Sequence, residues 1–316
     1  MREFVQPRIL VSRCIECEPC RYNGLMISSE TVKRLRDKAE MYAVCPEVEI
    51  GLGIPREPLR LVESQQGTRF IQPATGRDVT AEMSTFADWY LKSLPSLDGF
   101  IMKDRSPSCG LKNVPVPPDT GFSESRRESG LFSREIVKRF PLIPRTDERD
   151  LSNPRLRDHF LTQIFTVAEF RALRHHESTK NLLQFHAENK YLLIAYHRGE
   201  YKTLTALATN REERSYDIVM SEYQEHLLKA LSKPPRKNSH IAVLDHALNH
   251  FAGAMIPGKE REAFTELIEA YRQGKQPLSG PRAMLRAWIV TYDEDYLAHQ
   301  TYFEPYPADL ETIPES

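Results

Sequence analysis

The rhythm of apolar and polar positions changes partway along this chain. Arg8-Ile-Leu-Val-Ser-Arg-Cys14, Met41-Tyr-Ala-Val-Cys45 and Gly99-Phe-Ile-Met-Lys103 are short apolar runs of strand length. Between them the helix period takes over, from about Ser29 to Glu40 with Val32, Leu35 and Ala39 on one face, and again from Thr80 to Leu94. A further helix is expected around Glu135 to Arg139. Strand and helix in alternation predict a parallel sheet with right-handed crossovers, a three-layer α/β domain. Beyond it the helix period continues alone: Phe160, Ile164 and Val167 repeat at helical spacing, and residues 181–197 mix apolar and polar positions in the same way. Helices are expected near Asp217 to Ala230, His240 to Ala254, Lys259 to Arg272 and Gly280 to Tyr292, with no alternating strand run competing. The expected architecture is an α/β N-terminal domain followed by an all-α C-terminal domain. The stretch Phe140 to Pro154, with three prolines and a charged cluster, reads as the connector, which sets the domains at 1–147 and 148–316.

Composition supports two globular domains: 316 residues, 40% hydrophobic and 28% charged, exceed the usual size of one core. No uncharged apolar run approaches the roughly 20 residues that a membrane helix needs. The N-terminus enters a short strand rather than a signal peptide's apolar region, so the expected location is the cytoplasm. Five cysteines would stay reduced there, and their odd number argues against a disulfide framework. All five precede residue 110, and all ten histidines follow residue 158.

In open parallel sheets, ligands bind beyond the carboxyl ends of the strands. Cys14, Cys45 and the segment ending in Cys109 each follow an expected strand, so three thiols distant in sequence should meet at one rim. Three thiolates suit an iron-sulfur cluster with one iron lacking a protein ligand, or a zinc site with one open position. A soft open position matches a sulfur-bearing substrate. Glu47 and Ser106 accompany the thiols, one able to move protons and the other to orient a ring substituent. A rival reading takes Cys14-x-x-Cys17-x-x-Cys20 as a ferredoxin-like ligand run, although no Cys-Pro follows at the required spacing. Packing beneath the loop is the bland account of Cys17 and Cys20.

Val11-Ser-Arg-Cys14, Cys20-Arg-Tyr-Asn-Gly24, Val44-Cys-Pro-Glu47 and Ser106-Pro-Ser-Cys-Gly110, in this order and spacing, resemble the thiouracil desulfurase (TudS-like) family over residues 8 to about 143. The resemblance implies a [4Fe-4S] cluster held by Cys14, Cys45 and Cys109, a fourth iron that accepts the substrate's sulfur, and Glu47 and Ser106 assisting the chemistry. Two departures bear on pocket specificity: Cys14-Ile-Glu-Cys17 stands where single-domain members often read Cys-Leu-Leu-Gly, and Asn23 stands where Asp is common. Phe185-His-Ala-Glu-Asn-Lys-Tyr-Leu-Leu, Asp245-His-Ala-Leu-Asn-His250 and Gly274-Lys-Gln-Pro-Leu278 resemble the YbgA-type helical domain. Such a fusion is similar to bacterial desulfidases that convert 4-thiouridine in tRNA to uridine. The implied partner is thiolated tRNA, with a free thiolated pyrimidine nucleotide as the alternative, and a non-enzymatic iron-sulfur RNA-binding or sensor protein as a second one.

Charge bears on that partner. Residues 151–290 hold 20 Lys and Arg against 15 Asp and Glu, while the whole chain is at −1. A phosphate-binding face could collect Arg171, Arg174, Lys180, Lys190, Lys233, Arg236, Lys237, Arg282 and Arg286, with Lys233, Arg236 and Lys237 the densest local group. The competing account is an ordinary solvated surface. His246 and His250, four apart, have metal-ligand spacing, but without a third ligand they read as structural, as do His186 and the pair His175-His176. Tyr191 and Tyr196 could stack on bases, although helical spacing favours core positions.

Overall fold

The computed structural model describes residues 2–65, 67–117, 126–174, 178–251 and 256–311. They form two compact units, one of residues 6–160 and one of residues 161–311 with residues 2–5. The first unit runs β1 (Arg8–Ser12), α1 (Glu30–Leu35), β2 (Glu40–Val44), α2 (Pro46–Glu49), β3 (Arg60–Ser64), β4 (Gly67–Gln72), β5 (Arg77–Asp78), α3 (Thr80–Ser93), β6 (Gly99–Met102), β7 (Val114–Val116), β8 (Arg126–Glu128), α4 (Leu131–Arg139), β9 (Arg145–Asp147) and α5 (Glu148–Leu151).

A parallel sheet in the order β2-β1-β6-β9 organises this unit. Ile9, Leu10 and Val11 of the inner strand β1 are fully buried. A strand covered on both faces needs apolar groups on both, which is why this run shows no polar alternation. Leu10, Val44, Phe100 and Met102 share one buried cluster with Met83, Ala87 and Leu91 of α3 and Phe132 and Ile136 of α4.

Some local expectations change. Instead of continuing to Glu40, α1 ends at Leu35, because the chain turns through Lys38, whose amide donates to the Leu35 carbonyl, and Glu40 already pairs with β1. The stretch from Phe140 to Pro154 is not a mere connector. Arg145-Thr-Asp147 adds to the sheet beside β6, and Asp147 accepts from the Asp150 amide to start α5. Pro144 sits just before this edge strand, where its missing N–H costs nothing, and its carbonyl accepts from the Phe100 amide at 2.9 Å. Two small antiparallel sheets, β3-β4-β5 and β7-β8, complete the unit.

The second unit is helical among the described residues: α6 (Pro154–Leu173), α7 (Thr179–Glu188), α8 (Lys190–Tyr196), α9 (Arg198–Thr209), α10 (Tyr216–Leu231), α11 (Lys237–Leu248), α12 (Gly258–Arg272), α13 (Ser279–Thr291) and α14 (Asp295–Ala298). The division between the units falls inside α6, after Phe160. Leu161 to Ala168 are all buried, so α6 is enclosed rather than one-sided, and buried Gln163 is satisfied by the Leu231 carbonyl at 2.7 Å. The periodic run 181–197 is two helices. Fully buried Asn189 interrupts it, its amide donating to the Phe185 carbonyl at 2.9 Å and its side-chain oxygen accepting from Thr301 at 2.8 Å. The helix expected from His240 begins earlier, at Lys237, and ends at Leu248, with a short 3-10 turn to Phe251; the expected end at Ala254 lies outside the described residues.

Candidate active site

The loops after β1, β2 and β6 bring the expected thiols together. Cys45 directly follows β2 and stands before Pro46, whose fixed φ suits the first position of α2. Cys14 follows β1 by two residues, and its carbonyl accepts from the Ile27 amide at 2.8 Å. Cys109 ends a tight loop after β6, in which the Ser106 hydroxyl accepts from the amides of Ser108 (3.3 Å) and Cys109 (3.1 Å). The carbonyls of Pro107 and Ser108 accept the first amides of α4, serving that helix in place of a side-chain cap. This packing leaves no room for a β-carbon at Gly110 or Gly130: at Gly130 it would lie 2.5 Å from the Ser108 carbonyl oxygen. The glycine of Ser106-Pro-Ser-Cys-Gly110 is thus a matter of space.

Cys14, Cys45 and Cys109 are 9%, 8% and 6% exposed and line one cavity of about 370 Å³ with Glu47 and Ser106. Among the other residues lining it are Arg56 and Ser108, which sequence reasoning did not assign to the chemistry, and Cys20, which only the rival ferredoxin-like run counted as a ligand. Fully buried Cys20 does not simply pack beneath the loop, since it lines the cavity together with Cys14 and Cys45. Its carbonyl accepts from the Cys45 thiol (3.7 Å) and from Arg56 Nη1 (3.0 Å). Cys17 lies outside the cavity lining, so the local CxxCxxC run is not gathered as one set.

Glu47 is held at both oxygens. Arg56 Nε donates to Oε2 at 2.7 Å, and the Ser108 hydroxyl donates to Oε1 at 2.6 Å. Ser106 Oγ is 3.0 Å from Ser108 Oγ, so the expected serine reaches the carboxylate through its neighbour. Arg56 Nη2 also points at Cys45 Sγ, 3.8 Å away. Burial pushes the Cys109 thiol up to about 12, and the Cys20 hydrogen bond followed by burial raises Cys45 further. Ser108 belongs to a motif visible in the sequence; Arg56 carries no such signal, because it reaches Glu47 through a turn that periodicity does not report.

Residues 9–148 match the 2-thiouracil desulfurase family. Those residues form a domain of that family. Residues 190–307 match DUF1722, a family of unknown function. The uncharacterized protein YbgA of Escherichia coli (strain K12) is 30% identical over 155 residues, 48% of this chain and 91% of that protein. The uncharacterized protein YbbK of Bacillus subtilis (strain 168) is 37% identical over 112 residues, 32% of this chain and 72% of that protein. Among solved structures, the [4Fe-4S]-dependent thiouracil desulfidase TudS is 27% identical and covers 46% of this chain and 93% of its own, with a TM-score of 0.37.

The helical part of this chain holds the other candidate residues. Lys233, Arg236 and Lys237 are exposed between α10 and the first turn of α11. Arg282 does not belong to any surface set: its side chain is 4% exposed and lies 3.6 Å from Glu311. His186 is structural, stacked on Tyr201 and hydrogen-bonded to the hydroxyls of Tyr223 and Thr205, both at 3.0 Å. His250 bonds the Tyr191 hydroxyl at 2.9 Å, and Tyr191 is core, at 2% exposure. Among the described residues no group of three His, Cys, Asp or Glu, the cavity thiols included, is arranged to hold a single metal ion, and His175 and His176 lie outside those residues. No helix among the described residues is long and apolar enough to cross a membrane.

Proposed function

We propose that this chain is an iron-sulfur desulfidase that converts the thiocarbonyl of a thiolated pyrimidine to a carbonyl, and that its physiological substrate is 4-thiouridine in tRNA. The observation that carries this reading is the convergence of Cys14, Cys45 and Cys109 on one cavity beside a doubly held carboxylate. The donor set suits a cluster rather than a single metal ion, which no three such groups among the described residues are arranged to hold: the soft donors Cys14, Cys45 and Cys109 line one cavity from the ends of three neighbouring strands. Cys14, Cys45 and Cys109 would hold it. When bound, a [4Fe-4S] cluster with one iron free of protein ligands supplies a soft Lewis acid for the substrate's sulfur.

The rest falls to the chain's own residues. The net reaction takes one water, places its oxygen on the ring carbon and releases sulfide, so protons must leave the water and reach the departing sulfur or the ring. Glu47 can take and return them, since a carboxylate with one oxygen on Arg56 and the other on Ser108 keeps further lone pairs free. Ser106 and Ser108, 3.0 Å apart, orient the attacking water or the ring substituent and offer a short proton path to Glu47. In tRNA the nucleotide must leave its stack to enter the cavity, a cost of about a few kcal/mol.

Anaerobically reconstituted protein should be incubated with tRNA containing 4-thiouridine and, separately, with free 4-thiouracil, followed by nucleoside and sulfide analysis. Uridine should replace 4-thiouridine with matching sulfide. Intact 4-thiouridine alongside converted thiouracil would remove tRNA from the reading, and failure on both would remove the desulfidase.

A further inference from the structure

The mouth of the cavity carries groups that the proposed chemistry does not use. Arg13, Arg21, Arg56, Lys103 and Arg105 line it, against the acids Glu47 and Asp104. Three of the cations are committed to carboxylates: Arg56 to Glu47 at 2.7 Å, Arg13 to Glu49 at 3.1 Å and Lys103 to Glu148 at 2.6 Å. Arg21 and Arg105 differ. The Arg21 guanidinium lies 5.7 Å from the centre of the Tyr22 ring and has no acid against it among the described residues. Arg105 has a side chain 65% exposed, and its ion pair is a long one, 3.6 Å from Nε to the carboxylate of its own chain neighbour Asp104.

Backbone geometry fixes both positions. Arg105 has φ of +55°, a left-handed conformation uncommon for a side chain of its size, directly before Ser106. Arg21 and Tyr22 sit on a turn closed by the Gly24 amide on the Arg21 carbonyl at 2.9 Å. The Tyr22 carbonyl accepts from the amide of Arg56, so this turn is tied to the residue that holds Glu47. Tyr22 is 43% exposed, and Leu25, Met26 and Ile54 are also exposed.

We infer that this mouth is a docking surface for a polynucleotide strand, with Tyr22 stacking on a base beside the one that enters the cavity and Arg21 and Arg105 binding the flanking phosphates. The inference rests on the desulfidase reading and adds to it a place where RNA is held. An exposed ring with planar cations beside it is the combination that takes bases by their faces and phosphates by paired N–H groups. A free thiouracil has no phosphate for Arg21 or Arg105 to hold. The surface therefore discriminates between small and polymeric substrates within the first unit itself.

The test uses the full chain, reconstituted anaerobically, as wild type, Arg21→Glu/Arg105→Glu, Tyr22→Ala and Tyr22→Phe. Iron and sulfide content confirms that each is loaded. Affinity for thiolated tRNA is read by fluorescence anisotropy over a salt series, with kcat/KM on tRNA and on free 4-thiouracil. The double charge reversal should weaken tRNA binding about tenfold or more, flatten the dependence of log K on log salt by about one to two, and lower the tRNA-to-thiouracil ratio of kcat/KM in step. Tyr22→Ala should weaken binding about tenfold, while Tyr22→Phe keeps it, because the ring face is what stacks. Wild-type tRNA affinity in the double variant overturns this inference and leaves the desulfidase reading standing. A wild-type protein that converts thiouracil yet binds no tRNA overturns both this inference and the choice of tRNA.

Discussion

Glu47 is where the account is most exposed at the scale of single residues. Its side chain is 10% exposed and that of its partner Arg56 4%, so the pair is a buried one in which each charge depends on the other. Glu47→Gln keeps the shape and removes both the ionisable group and the partner charge of Arg56. Turnover should fall about a hundredfold while iron content persists. The melting temperature should also drop, consistent with a loss of about 3 kcal/mol, because a buried guanidinium is left unpaired. Near-normal turnover in the iron-loaded variant would eliminate proton transfer by Glu47. That the three thiols and Glu47 meet at one cavity was legible in the sequence, because each lies in a segment that follows a strand of the parallel sheet. The contacts of Ser108 and Arg56 were not: Ser108 lies in the visible motif but its bond to Glu47 has no sequence mark, and Arg56 arrives from a neighbouring turn that spacing and periodicity do not report.

At the scale of elements, periodicity found the structure wherever one face differs from the other or a run is wholly apolar. It therefore gave β1, β2, β6, α3 and the long helices α10, α12 and α13 nearly in place. It missed β9 because three residues at a sheet edge, entered through proline, have no room to show a pattern. It joined α7 to α8 because the break depends on the side chain of Asn189 and its distant partner Thr301. The histidines are where packing of the helical elements becomes measurable. Burial holds His186 of α7 neutral, lowering its pKa from 6.5 to about 4. A depressed folded value means the unfolded chain takes up the proton first, so the contribution of His186 to stability is present above pH 6.5 and is lost as pH falls toward 4. Thermal unfolding of the full chain should show this loss, and His186→Gln should flatten it. An unchanged pH profile in a folded His186→Gln protein would show that acid destabilisation arises elsewhere. His159, held down to about 4 by burial, gives a second contribution of the same sign.

Across the whole molecule, the near-zero net charge hides an uneven distribution, with residues 151–290 carrying 20 basic against 15 acidic groups. Lys233, Arg236 and Lys237 are the exposed group that the sequence singled out there. Reversing all three charges should weaken tRNA binding, and more so at low salt, while iron content and conversion of free thiouracil persist. Equal tRNA affinity before and after reversal would leave the helical unit without this role. The central claim, however, is that three thiols from separate strand ends make a desulfidase site, and it is tested most directly by stoichiometry. Anaerobically reconstituted wild type and Cys45→Ala proteins should each be given a thiouracil, with uracil and sulfide counted against bound iron. The account predicts equal uracil and sulfide over many turnovers from the wild type, and neither iron-sulfur content nor product from Cys45→Ala. Undiminished conversion by Cys45→Ala, or an iron-loaded wild type that releases no sulfide, would contradict it.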